Sequence, residues 1–219
     1  MKGKMGIPRT TIERLPLYYR CLAKLDKMDI EVISSKELGE RIGVPSTQVR
    51  KDLSYYGEFG RRGVGYEVKI LLRNLERILG LDSQWPIVLI GAGNLGRALV
   101  NYEGFRKLGL KIVSVLDTDL NKIGNSISGI EVESIKRLDE VVKNRGIKMG
   151  IIAVPAAYAQ EVADQLIEAG IESIWNFAPT RIIVPEEVKV KNEDLSVGII
   201  GLVYHMAHMS RKDEEDEEE

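Results

Sequence analysis

The sequence predicts an α/β protein in which a small helical domain precedes a doubly wound, mostly parallel sheet. Three observations predict this architecture. From residue 86 onward, short apolar runs alternate with helical patterns, as in sheets built from strand–helix–strand units. The first of these runs leads directly into a glycine-rich turn. Residues 1–80 instead contain helical patterns separated by short turns, and they carry an excess of positive charge.

The glycine-rich turn is the most informative segment. Residues 87–90 are an apolar run long enough for a buried parallel strand, and Gly91-x-Gly93-x-x-Gly96 follows at once. Gly91 permits a tight turn, Gly93 lets backbone approach a pyrophosphate, and Gly96 lets the following helix pack close to the strand. The free N–H groups at the start of that helix then face the phosphates. The pattern predicts a Rossmann-type dinucleotide site.

An acidic residue ends the second predicted strand. Asp117 closes the run 111–117, about 20 residues beyond Gly96, where a carboxylate accepts a hydrogen bond from an adenosine ribose. Its charge repels a 2′-phosphate, which favours NAD(H) over NADP(H). The alternative is a plain glycine turn followed by an aspartate that caps a loop. The order of strand, glycines, helix, strand and acid favours the nucleotide site.

The later part of the sheet places more residues at the same edge. After a loop at 119–129, strands and helices are predicted at 130–132, 135–142, 148–154, 159–169 and 172–177. Ligands bind beyond the carboxyl ends of parallel strands, so Val154 and Pro155 are expected to wall the cofactor site. The segment 176–179 would stand at the same edge. This Rossmann-type domain is expected to span residues 81–191.

Three helices are predicted near the N-terminus. Thr10-x-x-Glu13 and Ser34-x-x-Glu37 have the pattern of capping boxes that begin helices. Gly43 would end the second helix, and Ser46 would cap a third at about 47–56. The apolar stripe expected on the first helix consists of Ile12, Leu15, Tyr19, Leu22, Ala23 and Leu25. This order of helices is typical of domains that present a recognition helix to DNA.

The third helix carries the candidate DNA contacts. Val49 and Leu53 share one face and are expected to be buried. The polar residues left to face outward or flank the core are Ser46, Thr47, Gln48, Arg50, Lys51, Ser54 and Tyr55. Short polar groups and glutamine reach base edges, while arginine and lysine suit phosphates or guanine. Spacing alone is equally compatible with an amphipathic helix whose polar face is only solvated.

The segment after this helix favours nucleic acid. Residues 57–66 place glycines at turn spacing around Arg61 and Arg62, which predicts the β-hairpin wing of a winged-helix domain. Arginines at such a tip can enter a narrow minor groove. Residues 1–80 carry 16 Lys/Arg against 10 Asp/Glu, a balance of +6, which also favours an anionic partner. A helix at 68–79, ended by Gly80, completes this domain.

Composition excludes several classes of protein. No apolar run approaches the roughly 18 residues of a membrane span, and no signal-peptide core is seen, so we expect a cytoplasmic protein without a membrane partner. Cys21 is the single cysteine, which excludes an intramolecular disulfide and a thiolate zinc site. His205 and His208 are three residues apart without an obvious third ligand, so no metal is expected.

The C-terminal segment has an unusual pattern. Residues 192–210 are apolar nearly all round the predicted helix, so that helix must be buried, which a partner chain can provide. The acidic residues 211–219 are expected to form a disordered, solvated tail.

Together these motifs resemble those of the Rex family of redox-sensing transcriptional repressors. The resemblance covers residues 6–209 and rests on the segments 48–57, 62–66, 91–96, 102–105 and 176–179. It implies a homodimer that binds palindromic double-stranded operator DNA and represses genes of NADH metabolism. It also implies that NADH binding releases the DNA, whereas NAD+ competes and favours the DNA-bound state. The 192–210 helix would be exchanged between subunits.

The resemblance also assigns roles to residues. Arg20 and Asp194 would pair across subunits in one state, and Tyr102 would compete for the carboxylate in the other. Apolar groups around Ala92, Val154 and Pro155 would contact the nicotinamide end. The residues expected to bind NADH and NAD+ are Gly91, Ala92, Gly93, Asn94, Leu95, Gly96, Tyr102, Asp117, Val154 and Pro155.

Two other functions compete with this interpretation. An NAD-dependent dehydrogenase with a DNA-binding appendage would need an acid or base near the nicotinamide. Both histidines lie in the terminal helix, Tyr102 and Tyr158 have no second catalytic group beside them, and no substrate domain is left, so no enzyme is expected. A fold that binds coenzyme A or another adenylate is disfavoured, but not excluded, by the glycine pattern and Asp117.

Overall fold

The computed structural model describes residues 6–61 and 63–216, with the backbone alone for residues 209–216. The chain divides into two compact units between Ser83 and Gln84. Each unit has its own buried core, and the two are described in turn.

The first unit combines helices with a small sheet. Its described elements are α1 (Arg9–Asp26), β1 (Val32–Ile33), α2 (Ser35–Ile42), α3 (Ser46–Ser54), β2 (Gly60–Arg61), β3 (Gly65–Glu67) and α4 (Val68–Leu79). Helix α1 packs against α4, and α2 packs against α3. Leucines dominate the core between them, with Val49 and Leu53 of α3 buried as predicted.

The start of α1 differs from the prediction. The helix begins at Arg9, and Pro8 is its N-cap, whose carbonyl accepts bonds from the backbone N–H groups of Thr11 and Ile12. The capping box predicted at Thr10 is wrong, because Thr10 already lies inside the helix. Glu13 instead pairs with Arg9 one turn earlier.

The buried stripe of α1 is also shifted. Thr11, Leu15, Tyr18, Leu22 and Leu25 are buried. Tyr19 and Ala23 are partly buried and pack against this core, whereas Ile12 is 49% exposed, so the predicted stripe is wrong at Ile12 and omits Thr11 and Tyr18. The reason is polar: Thr11 and Tyr18 both donate hydrogen bonds to the buried carboxylate of Asp52, which turns this side of α1 inward.

The turn from α2 to α3 follows the prediction in part. The capping box of Ser34 and Glu37 is confirmed, and Gly43 ends α2 in the left-handed conformation at φ +71°. The capping role of Ser46 is wrong, because Pro45 is the N-cap and Ser46 is the first helical residue. Helix α3 ends at Ser54, about two residues before the predicted end.

The wing is confirmed as an antiparallel hairpin. Gly60 pairs with Tyr66, and Arg61 pairs with Gly65. Strand β1, which was not predicted, pairs antiparallel with the other edge of β3 and gives the order β1-β3-β2. Helix α4 spans the predicted residues and ends at Gly80 with φ +71°.

The second unit is a layered α/β structure. Its described elements are β4 (Trp85–Ile90), α5 (Asn94–Val100), α6 (Glu103–Arg106), β5 (Leu110–Asp117), β6 (Ser126–Ile127), β7 (Ile130–Ser134), α7 (Leu138–Arg145), β8 (Met149–Ile152), α8 (Ala159–Glu168), β9 (Ser173–Asn176), β10 (Lys189–Asn192) and α9 (Leu195–Asp216). The strand order is β10-β9-β8-β4-β5-β7-β6. All neighbours are parallel except the β6–β7 hairpin, which confirms the predicted fold class.

Strand β4 lies between β5 and β8 and is buried on both faces. Val88 and Ile90 belong to the core beneath α7 and α8. Ile87 and Leu89 belong to the core on the opposite face. From β4 the chain continues to its neighbour β5 on one side, and it later returns to form β8 on the other side. This reversal makes the carboxyl end of β4 the switch point where such sheets bind ligands.

Several elements of this unit depart from the prediction. The hairpin strand β6 occupies part of the predicted loop 119–129, and β10 was not predicted. A 3₁₀ turn at Ile135–Arg137 precedes α7. Helix α9 runs to Asp216 and so includes residues 211–216 of the segment expected to be a disordered tail; residues 217–219 lie outside the described range. Among the described helices, none combines the length and the apolar character that a membrane span requires.

Candidate nucleotide cleft and nucleic-acid surface

Three glycines shape the turn between β4 and α5. Gly91 has φ +107°, and a Cβ there would collide with the carbonyl oxygen of Ala153. A Cβ on Gly96 would collide with the carbonyl oxygen of Gly91, so α5 packs directly on the turn. A Cβ on Gly93 would meet no atom within 4 Å. The tight turn and the close packing are confirmed, and Gly93 leaves its side of the backbone open to a ligand.

Asp117 ends β5 beside this turn and holds it. Its Oδ2 accepts a hydrogen bond of 2.7 Å from the backbone N–H of Ala92, and its Oδ1 accepts one of 2.9 Å from Asp119 N–H. The ammonium of Lys122 lies 3.1 Å from Oδ2. Burial alone raises the pKa of Asp117, but these two N–H groups and Lys122 outweigh it and keep the pKa below its usual value. The carboxylate is therefore ionised at neutral pH.

A cleft of about 700 Å³ opens at the carboxyl ends of these strands. Its volume is typical of a small-molecule site. The predicted cofactor residues that line it are Gly91, Gly93, Asn94, Leu95, Asp117, Val154 and Pro155. Ala92 and Gly96 are buried behind the turn instead. Tyr102 is not among the residues that line the cleft.

Four further residues of the cleft were not predicted from the sequence. Asp119 and Lys122 line it, and their position just after a strand that ends in an acid could have identified them. Glu161 and Gln165, one helical turn apart on α8, also line it. Nothing in the local sequence marks this pair, because only the packing of α8 on the sheet brings it to the cleft.

Tyr102 lies at the end of a row of aromatic rings. It is 59% exposed and contacts Phe105 edge-to-face, with ring centroids 4.8 Å apart. Phe105 contacts Trp175 at 5.8 Å, and Trp175 contacts Phe177 at 4.5 Å. Phe177 lines the cleft. Contacting side chains thus connect Tyr102 with the nucleotide cleft.

The other two predicted switch residues are exposed. Arg20 lies on α1 of the first unit. Asp194 precedes α9, and its Oδ1 accepts hydrogen bonds from the N–H and the hydroxyl of Ser196. These bonds lower the pKa of Asp194.

The predicted DNA-binding residues of the first unit partly converge. A groove of about 630 Å³ lies between α3 and the wing, and Arg50, Ser54 and Arg61 all line it. Arg50 is exposed and donates a hydrogen bond of 3.0 Å to Ser35 Oγ at the start of α2. Two more predicted residues, Thr47 and Lys51, are exposed on α3, whereas Ser46 and Tyr55 are half-buried. Arg62 lies outside the described residues.

Gln48 is half-buried and flanks the core, one of the two positions expected for it. Its amide nitrogen donates a hydrogen bond of 2.7 Å to Oδ1 of Asp52, one turn later on α3. Asp52 also accepts bonds from Thr11, Arg14 and Tyr18 of α1. Gln48 therefore belongs to a buried polar network that joins α1 to α3, and its contact with bases stays a prediction.

Comparisons with known proteins find similarity in both units of the chain. A family model described as "CoA binding domain" matches residues 82–180, and one described as "Putative DNA-binding protein N-terminus" matches residues 6–54. The redox-sensing transcriptional repressor Rex of Carboxydothermus hydrogenoformans is 51% identical over 94% of this chain and 99% of its own. Rex of Streptomyces coelicolor is 44% identical over 91% of this chain and 78% of its own.

Solved structures give the same answer. RSP, a Rex-family repressor, in complex with β-NAD+ and operator DNA has a TM-score of 0.89 and 38% identity, covering 96% of this chain and 97% of that one. RSP in complex with β-NADH has a TM-score of 0.85 and 36% identity, covering 95% and 98%. With these identities over nearly the whole length, the chain belongs to the Rex family of redox-sensing transcriptional repressors.

Proposed function

We propose that this protein is a redox-sensing repressor that binds operator DNA as a homodimer and releases it when NADH enters the cleft of the second unit. The observation that carries the proposal is the ionised Asp117 beside an open glycine turn, in a chain that also has a winged helix. The RSP complexes with β-NAD+ plus operator DNA and with β-NADH support both ligands. A repressor acts on the chromosome, so we place the protein in the cytoplasm.

The cleft offers a physical reason for preferring the reduced cofactor. The nicotinamide ring of NAD+ is cationic, whereas that of NADH is neutral. Val154, Pro155 and Phe177 give the cleft an apolar wall, and a site that excludes water favours the neutral ring. NADH then stabilises the state that cannot hold DNA, while NAD+ occupies the same cleft without that preference.

To change the state of the dimer, NADH must bind the DNA-incompetent state more tightly than the DNA-competent state. Moving a dimer from almost fully DNA-competent to almost fully incompetent takes about 5.5 kcal/mol of differential binding. Two NADH molecules acting on one dimer share this requirement. We propose Arg20, Tyr102 and Asp194 as the groups that exchange partners between the states. The aromatic row supports Tyr102, because its contacts lead directly to the cleft.

The DNA surface is proposed on α3 and the wing. Arg50, Lys51 and Arg61 supply exposed cations for phosphates and base edges, and Thr47 and Ser54 supply short polar groups. A homodimer would present α3 and the wing twice, which matches a palindromic operator.

The test uses the full-length protein and a fluorescently labelled duplex selected from a randomised pool for tight binding. NADH at micromolar concentration is expected to release the duplex, which fluorescence anisotropy measures, and NAD+ is expected to raise the NADH concentration required. Absence of release would contradict the proposal. Coenzyme A is the control because one family model carries its name, and release by coenzyme A at the same concentration would assign the cleft to that ligand instead.

A further inference from the structure

We propose that Lys122 sets how strongly the cleft prefers NADH over NADPH, by neutralising part of the acidic pair that meets the adenosine ribose. This inference rests on the proposed function of the cleft. The sequence alone assigns the preference to Asp117. The structure instead makes it a property of three charges, Asp117, Asp119 and Lys122, held together in one loop.

Lys122 is fixed in place by the loop that follows β5. Its backbone N–H donates a hydrogen bond of 3.0 Å to the carbonyl of Asp119, which closes a turn. Its ammonium lies 3.1 Å from Asp117 Oδ2 and 3.6 Å from Asp119 Oδ2. The side chain is only 35% exposed. Among the described residues that line the cleft, Lys122 is the single lysine or arginine.

Asp117 has little hydrogen-bonding capacity left for a ribose. A carboxylate offers about four lone-pair positions. Three are already used, by the N–H groups of Ala92 and Asp119 and by the ammonium of Lys122. One position remains, which suits one ribose hydroxyl. The phosphate that replaces the 2′-hydroxyl in NADPH must find another partner, and Lys122 is the adjacent donor.

The charge balance gives the direction of the effect. With Lys122 present, Asp117, Asp119 and Lys122 sum to −1, and the ammonium is available to a 2′-phosphate. Without it, the two carboxylates of Asp117 and Asp119 face that phosphate with no cation between them. Hydrogen bonds from Asn121 still lower the pKa of Asp119, and the N–H groups of Ala92 and Asp119 still oppose the effect of burial on the pKa of Asp117. NADPH should then bind much less well, while NADH, which has no charge at this position, should change little.

The experiment measures dissociation constants for NADH and NADPH by calorimetry on three variants of the full-length protein. Lys122→Met is expected to raise the NADPH-to-NADH ratio of dissociation constants about tenfold, the scale of one removed charge near a dianion at a solvated surface. Asp119→Asn removes one carboxylate but keeps an acceptor for the Asn121 N–H, and it is expected to lower the ratio severalfold. Lys143→Met is the matched control, because Lys143 is exposed on α7 and lies outside the cleft, and its ratio should equal that of the wild type.

Each outcome has one meaning. An unchanged ratio in Lys122→Met, or an equal loss of both cofactors, overturns the inference, since Lys122 then only shapes the loop. A wild-type protein that binds neither NADH nor NADPH overturns the proposed function as well. NADH binding by the wild type with an unchanged ratio in the variants leaves the proposed function intact and removes only the role of Lys122.

Discussion

At the scale of single residues, Asp52 joins two helices of the first unit through its side chain. Its carboxylate is fully buried on α3 and accepts bonds from Thr11, Arg14 and Tyr18 of α1 and from Gln48 of α3. Arg14 approaches to 2.6 Å and forms a second bond of 2.9 Å, so the pair is bidentate. These contacts fix the orientation of α3 on α1.

The first prediction concerns the charge of Asp52. Asp52→Asn leaves the guanidinium of Arg14 without its counter-ion in a partly buried site, and one broken buried pair typically costs about 3–5 kcal/mol. We therefore expect the free energy of unfolding of the first unit to fall by about 3 kcal/mol, measured by urea denaturation. Glu13→Gln is the control, since Glu13 belongs to an exposed pair on the same helix and should cost less than about 1 kcal/mol.

The same variant has a distinct pH dependence. Burial raises the pKa of Asp52, but the bonds from Arg14, Tyr18, Gln48 and Thr11 outweigh it and hold the pKa well below the unfolded value of about 3.9. A lowered folded pKa means that the stabilisation is complete above the unfolded pKa and is lost as the pH falls below it. Wild-type stability should therefore fall more steeply than that of Asp52→Asn between about pH 4.5 and 2.5. Parallel curves would show that Asp52 is not the group responsible.

At the scale of elements, two glycines of the turn after β4 have different roles: Gly96 allows close packing, and Gly93 leaves space for a ligand. Gly96→Ala forces a Cβ into the carbonyl oxygen of Gly91, and overpacking of this kind costs about 1–3 kcal/mol. Gly93→Ala meets no atom of the chain, at a φ of −77° that any residue adopts. We expect Gly93→Ala to keep the wild-type melting temperature but to bind NADH at least tenfold more weakly, because its methyl group occupies the space for the pyrophosphate.

Melting curves and NADH titrations on both variants check this prediction. Gly96→Ala should lower the melting temperature by several degrees. Wild-type NADH affinity in Gly93→Ala would show that the phosphates do not pass over this part of the turn.

The elements also show which parts of the fold were predictable. The turn at Gly91–Gly96, the capping box at Ser34 and the wing hairpin depend on neighbouring residues, so a local pattern predicts them. The short strands β1 and β10 form only because a distant strand offers its edge, at β3 and β9 respectively. The inward side of α1 was misjudged for the same reason, since Asp52 lies about 40 residues from Thr11. The cleft was located from the strand edges, but the ion pair between Lys122 and Asp117 depends on a loop whose turn has no strong pattern.

At the scale of the whole molecule, α9 exposes its apolar side chains over the part where side chains are described, residues 195–208. Its apolar residues Leu195, Ile199, Ile200, Leu202, Val203 and Met206 are each between 58% and 69% exposed. No described residue of α9 belongs to a buried core cluster. A helix of this composition is stable in water only when another surface covers it. A second copy of the chain is the partner that we expect for it, and exchange of the helix remains a prediction.

Removal of α9 tests whether this helix forms the subunit contact. Deletion of residues 195–219 should convert a dimer into a monomer and leave the described cores of both units unchanged, because none of them includes α9. Sedimentation at micromolar concentration measures the mass. Deletion of residues 211–219 alone is the control and should leave the dimer intact; a dimeric 1–194 fragment would place the subunit contact elsewhere.

The bond from Ala92 N–H to Asp117 constrains how this sensor can evolve. Because one carboxylate both supports the glycine turn and faces the cofactor, its loss would deform the turn at the same time as it changed recognition. A lineage that came to respond to a phosphorylated dinucleotide would therefore have to alter Asp119 first and keep Asp117 until some other group supported the turn. The order of these substitutions follows from the structure, because Asp117 supports the glycine turn through its hydrogen bond with Ala92.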